Sequence, residues 1–135
     1  VQVIGVTKEK FCNFYPKGKE LLQTVGDRVT FLGKLSHDET IQYVATCDCN
    51  IFIREKNLRN QAGFPTKFVE AFTCGVRIIT TDVSDIHIYA DDRVTILQDT
   101  SVTAVAKAMS KAVQEKKQQN CLKLKVHTYT AYIKF

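Results

Sequence analysis

The chain has 135 residues, 44% of them hydrophobic and 24% charged, with a formal charge of +5 at pH 7. That make-up suits one globular domain, large enough to bury about two thirds of the surface its unfolded form exposes. No apolar run approaches the roughly 18 residues a bilayer span needs, and no secretory signal is visible, so a cytoplasmic chain is expected. The five cysteines, Cys12, Cys47, Cys49, Cys74 and Cys121, are odd in number and scattered through expected regular elements. They read as free buried thiols, not as a disulfide framework. The basic excess gathers between Lys8 and Lys19 and between Lys107 and Lys134. The run EKKQQNCLKLK lacks the interleaved aromatics of a single-strand nucleic-acid platform. It reads first as a solvated face and second as a surface for peripheral contact with the inner face of a membrane, with no nucleic-acid partner expected.

Short β-rich runs alternate with longer helical windows, which predicts an α/β fold: a Rossmann-like, mostly parallel sheet with flanking helices. Strands are expected at Gln2 to Val6, Val29 to Leu32, Asn50 to Ile53, Arg77 to Thr81 and Val94 to Leu97. The helices between them fall at Pro16 to Val25, Ser36 to Cys47, Pro65 to Cys74 and Ser101 to Gln119. Ser36 and Glu39 have the spacing of a capping box ahead of Ile41, Val44 and Ala45. Ser101 is placed to cap the long helix, where Val102, Val105, Ala106, Met109 and Val113 recur as one apolar stripe. The tail VHTYTAYIKF reads as a strand or, preferably, a helix. No repeat or second domain is visible.

The segment from Ala62 to Asp82, AGFPTKFVEAFTCGVRIITTD, carries most of the information. Gly63 and Pro65 punctuate a loop, and Pro65 fits the first helical position, where its missing N–H costs nothing. Gly75 stops the helix as a C′ glycine, and Ile78, Ile79, Thr80 and Thr81 follow as a strand buried on both faces. In a doubly wound sheet the free N–H groups at such a helix start face the crevice at the strand ends, where phosphorylated ligands bind. Gly63, Phe64, Pro65 and Thr66 therefore form a candidate diphosphate loop, and Lys67 could add a point charge. Arg54, Glu55 and Lys56 sit just past a strand, at the same edge; an Arg there could pack on a base, engage phosphate or remain a solvated loop charge. His37, His87 and His127 converge on nothing that suggests acid–base work. The Cys47 to Cys49 CDC motif lacks a second ligand pair at zinc spacing, so no metal site is expected.

These residues resemble the donor-binding half of the retaining GT-B glycosyltransferases, the group 1 (family 4) class that includes bacterial polysaccharide and lipopolysaccharide enzymes. Gly63, Phe64, Glu70, Ala71 and Gly75 fall in register on that family's motif. VIGVT at Val3, VTFLGKLSHDETIQYVATCD at Val29 and TTDVSDI at Thr80 look like its neighbouring segments. The resemblance implies a nucleoside diphosphate sugar as donor substrate, no metal or other cofactor, and a saccharide or lipid-linked acceptor. It assigns Glu70 to the ribose hydroxyls and Gly33 to a loop near the base. Ala62 departs from the pattern, standing where the family has the first Glu of its pair, and Arg77 stands where a Pro is common, with an effect expected only on the turn. The family's first strand, its Arg-Lys loop and its acceptor-binding domain have no counterpart here. The resemblance thus implies a donor-binding domain fragment, residues 1–135, inactive alone, with a gap in the middle of its sheet. A noncatalytic Rossmann-like binding or regulatory module is the alternative. A phosphoacceptor receiver is disfavoured, because the first strand lacks a terminal acidic pair.

Overall fold

The computed structural model describes residues 1–119 and 129–132. Cys121, His127, Phe135 and the lysines of the basic stretch beyond Gln119 lie outside the described residues. The strands are β1 (Gln2–Ile4), β2 (Thr30–Gly33), β3 (Cys49–Phe52), β4 (Arg77–Thr81), β5 (Val94–Leu97) and β6 (Tyr129–Tyr132). They form one sheet in the order β2-β1-β6-β3-β4-β5, with every pairing parallel. Around it lie α1 (Lys8–Phe14), α2 (Gly18–Val25), α3 (His37–Thr46), α4 (Leu58–Gln61), α5 (Thr66–Thr73), α6 (Ile86–Tyr89) and α7 (Val102–Gln119). The α/β, Rossmann-like architecture is the one the sequence predicts. Among the described residues no helix is long and apolar enough to cross a membrane.

β4 shows how the layers are divided. Successive strand residues point to opposite faces, so Ile78 joins Phe52, Val44 of α3 and Phe68 and Ala71 of α5 in one core. Ile79 meets Cys49, Ile51 and Ala108 of α7 in another. Val3 is in register with Ile51 across β6 and so shares the α7 face. There it packs with Val6 and Phe11, and Cys12, Leu22 and Phe31 close over the cluster. A strand covered on both sides by helices must be apolar on both faces, which explains the unbroken run in RIITT. Gly75, at φ +71°, takes the left-handed turn that ends α5.

Several expectations change. The tail preferred as a helix is a strand at Tyr129–Tyr132, and the gap expected in the middle of the sheet is the position it fills, parallel to β1 on one side and β3 on the other. Tyr and Thr suit a pleated strand, and a strand there pairs two edges that would otherwise leave backbone donors and acceptors open. α1 was not foreseen, because its charged residues mask the helix that Thr7 caps at Lys10. α2 begins at Gly18, not at Pro16. Pro65 is the N-cap of α5, not its first helical residue, since its ψ of 113° is extended. The stripe on α7 holds at Met109, which packs on the sheet, but Val102 is 86% exposed and Ala106 is exposed; Ala108 and Ala112 face the sheet instead, where small side chains let the helix approach closely. Arg77 does more than shape a turn, for its guanidinium reaches Glu115 of α7 at 2.7 Å. Cys12, Cys47, Cys49 and Cys74 form no disulfide; Cys47 and Cys49 are buried as expected, whereas Cys12 and Cys74 are only half-buried. Burial pushes the Cys49 thiol up to about 12, so it stays protonated and unreactive.

Ile78 is fully buried between β4 and the α3/α5 layer. Ile78→Ala is expected to destabilise the fold by about 2–5 kcal/mol, checked by denaturant unfolding.

Candidate functional site

In a parallel sheet all strands end at one edge, and the loops after β1, β2, β3 and β4 gather there. Gly5 N–H donates to Gly33 O at 2.7 Å, which joins the first two loops. Gly33 sits at φ +67°, a conformation L side chains rarely adopt, so this turn requires its glycine. Three residues on, Ser36 starts α3 with the expected capping box. Glu39 N–H donates to Ser36 Oγ, while Ser36 N–H donates back to the Glu39 carboxylate at 2.8 Å. The Ser36 hydroxyl and N–H hold that carboxyl below its ordinary value.

α5 opens differently. Its cap, Pro65, offers no side-chain hydrogen bond, whereas α1, α3 and α4 are capped by Thr7, Ser36 and Asn57. Pro65 is buried and Phe64 turns its ring edge-on to Phe68 and Tyr89, at 5.7 and 5.2 Å. A Cβ on Gly63 would meet nothing within 4 Å, so the space over that backbone is open. Further along the helix, Glu70 is 16% exposed and lies between Lys67 Nζ at 2.8 Å and His37 Nδ1 at 3.8 Å. With Ile41, Thr66, Val69, Thr73 and Cys74 it lines a groove of about 430 Å³ between α3 and α5. His37 is the first residue of α3, so Glu70 also adjoins the helix that follows the Gly33 loop.

Arg54 belongs to a different cleft. Its N–H donates to Thr81 Oγ1 at 3.0 Å, and the Thr81 hydroxyl donates to Arg54 O at 2.7 Å, fixing the ends of β3 and β4 together. It lines a space of about 1140 Å³ with Lys56, Arg59 and Asp82 at the rim and Ile51, Leu97 and Met109 at the floor, on the α7 side of the sheet. The structure thus brings Thr66, Lys67 and Glu70 to one corner beside His37, four residues past Gly33, with Gly63, Phe64 and Pro65 at the head of the same helix, and sets Arg54 apart.

The described histidines do not come together, but each meets a carboxylate. His37 meets Glu70, and His87 Nδ1 lies 3.0 Å from Asp82 Oδ1, with Lys56 Nζ 3.7 Å from the other oxygen. These partners come from separate elements, so histidine spacing alone gave no sign of them. The His87 hydrogen bond is the main cause that holds the Asp82 carboxyl below its usual range. A lowered carboxylate stabilises the fold at pH above the ordinary Asp range, and the contribution is lost as pH falls through the lowered value. His87→Ala is expected to move the Asp82 titration upward toward that of an ordinary carboxylate, followed by NMR of the side-chain carboxyl.

A sequence model of the family described as glycosyl transferases group 1 matches residues 17–125, well over half of the chain. No curated protein and no solved structure matches the chain significantly. The matched stretch contains β2 to β5, the Gly33 turn, the α5 loop and Glu70. The chain belongs to the group 1 glycosyl transferases, a family that transfers a sugar from a donor to an acceptor.

Proposed function

We propose that this chain is the donor-binding domain of a retaining GT-B glycosyltransferase of family 4. On this reading it holds a nucleoside diphosphate sugar, whose sugar passes to a saccharide or lipid-linked acceptor presented by a second α/β domain. The observation that carries the reading is the setting of Glu70: a largely buried carboxylate, one turn inside a helix without a side-chain cap, beside the helix that follows a glycine turn. A carboxylate only accepts hydrogen bonds, and two ribose hydroxyls are matching donors. The head of α5 offers backbone N–H groups and the positive end of a helix dipole to a diphosphate.

Each candidate then has a task. Glu70 accepts from the ribose, and Gly33 lets backbone come close to the base. Gly63, Phe64 and Thr66 turn main-chain N–H groups to the diphosphate, with Pro65 setting the helix direction. Lys67 is within 2.8 Å of Glu70, and as a cation on a flexible stem it can leave that carboxylate for the diphosphate when donor binds. Such charges at the leaving group lower the barrier to its departure, and no metal or other cofactor has a part in the scheme. Arg54 faces the α7 side and would meet the donor only beyond its diphosphate. Ala62 supplies no carboxylate, so contact with the sugar hydroxyls falls to main-chain groups.

Glu70→Ala is expected to weaken binding of the matching nucleoside diphosphate by about 1–3 kcal/mol, the range for a charged hydrogen bond removed. Calorimetry with uridine, guanosine and adenosine diphosphates tests it; unchanged affinity in a folded variant returns Glu70 to a helix-surface role. The chain on its own is expected neither to transfer nor to hydrolyse a nucleotide sugar, because positioning an acceptor accounts for about 7–11 kcal/mol of such a barrier. Release of nucleoside diphosphate from labelled donors, in the presence of acceptors, is the measurement; turnover by this chain would place the acceptor wall within it.

A further inference from the structure

The loop between β4 and α6 makes a turn that its residues do not favour. Ile86 N–H donates to Val83 O at 3.3 Å, and the two residues between them, Ser84 and Asp85, have φ of 53° and 60°. A hydrogen-bonded turn with positive φ at both central positions is of type I′, where Gly, Asn and Asp dominate. Asp85 fits that rule and Ser84 does not. The turn has no room to relax, because Val83 and Ile86 on either side are buried at 1% and 0% exposure. Ser84 and Asp85 are the non-glycine residues at positive φ among the described residues.

The Ser84 hydroxyl shows what the strained position holds. Its Oγ lies 2.8 Å from Asn60 O and 2.9 Å from Gly63 O, so one proton is shared between two carbonyls of the loop that opens α5. Within itself that loop is bound by asparagines: Asn60 N–H donates to Asn57 Oδ1 and the Asn60 amide to Glu55 O. Ser84 ties it to a different element, more than twenty residues further along the chain. A glycine would make the turn without strain but without the bond. Strain of this kind persists where the surrounding structure imposes it and clusters at binding sites.

We infer that Ser84 is a positioning residue: its hydroxyl latches the Asn60–Gly63 loop to the β4–α6 turn and so fixes the head of α5, where Gly63 to Thr66 face the donor diphosphate. The effect on ligand rests on the donor-binding reading above, while the latch itself does not. Three variants separate the two: Ser84→Gly, which removes strain and hydroxyl together; Asp85→Gly, which frees the other central position of the turn and keeps the hydroxyl; and Ser84→Asn, which suits positive φ and restores N–H donors. The measurements are amide hydrogen exchange of the free chain and calorimetry with uridine diphosphate, guanosine diphosphate and adenosine diphosphate. Ser84→Gly is expected to raise exchange across residues 61–64 about tenfold, the factor one net hydrogen bond supplies, with β4 and α3 unchanged. Affinity for the diphosphate that the native chain binds should fall by a similar factor. Ser84→Asn should restore both, and Asp85→Gly should change neither. Unchanged loop exchange in Ser84→Gly overturns the latch, and freed loop exchange with undiminished affinity overturns its positioning role. If the native chain binds none of the three diphosphates while Ser84→Gly still frees the loop, the latch stands and the donor-binding reading falls.

Discussion

The molecule depends on the pairing of one strand along both of its edges. β6 is parallel to β1 through Gln2, Val3 and Ile4 and to β3 through Cys49 to Phe52. β1 and β3 do not pair with each other, so the sheet is continuous because β6 stands between them. On one side lie β2, α1 and α2 with the Gly33 turn; on the other lie β3 to β5, α5 and the loop that carries Gly63. α3 gives a second tie, starting after β2 and packing through Val44 against Phe68 and Ala71. The candidate site stands across this join, with His37 from one half beside Glu70 from the other.

What the sequence made legible was local. The capping box at Ser36 and Glu39 is a short-range exchange of hydrogen bonds, and it appears as written. β4 needed apolar residues on both faces, and RIITT has the bounds predicted for it. Gly75 shows its left-handed turn because only the end of a helix asks for one there. The missed elements are those with weak local signals. α4 and α6 are single turns of four residues, and α1 is hidden in a basic stretch. β6 is extended for a reason that lies in two distant strand edges, and picking the inward stripe of α7 from several alanines and valines requires knowing where the sheet is.

The site follows the same division. The Gly63 loop and Glu70 were found through punctuation and family register, both properties of a contiguous stretch. The Ser84 hydroxyl, the Asp82–His87 pair and the separation of Arg54 from Glu70 all depend on which loops the fold brings together. Arg54 follows a strand, as the α5 loop's neighbours do, and sequence position alone does not show that the two faces of the sheet divide them.

The pairing of Gln2 with Thr130 also bears on how the chain reaches this state. β3, β4 and β5 and the helices between them join residues close in sequence, so they can assemble early and at small entropic cost. The β1–β6 ladder closes nearly the whole chain into a loop, and each doubling of loop length adds about 0.6 kcal/mol to the cost of closure. Contacts of such separation slow folding. A half-sheet of β3 to β5 formed before that closure has an open β3 edge, and an open edge is a surface through which two unfinished molecules pair wrongly.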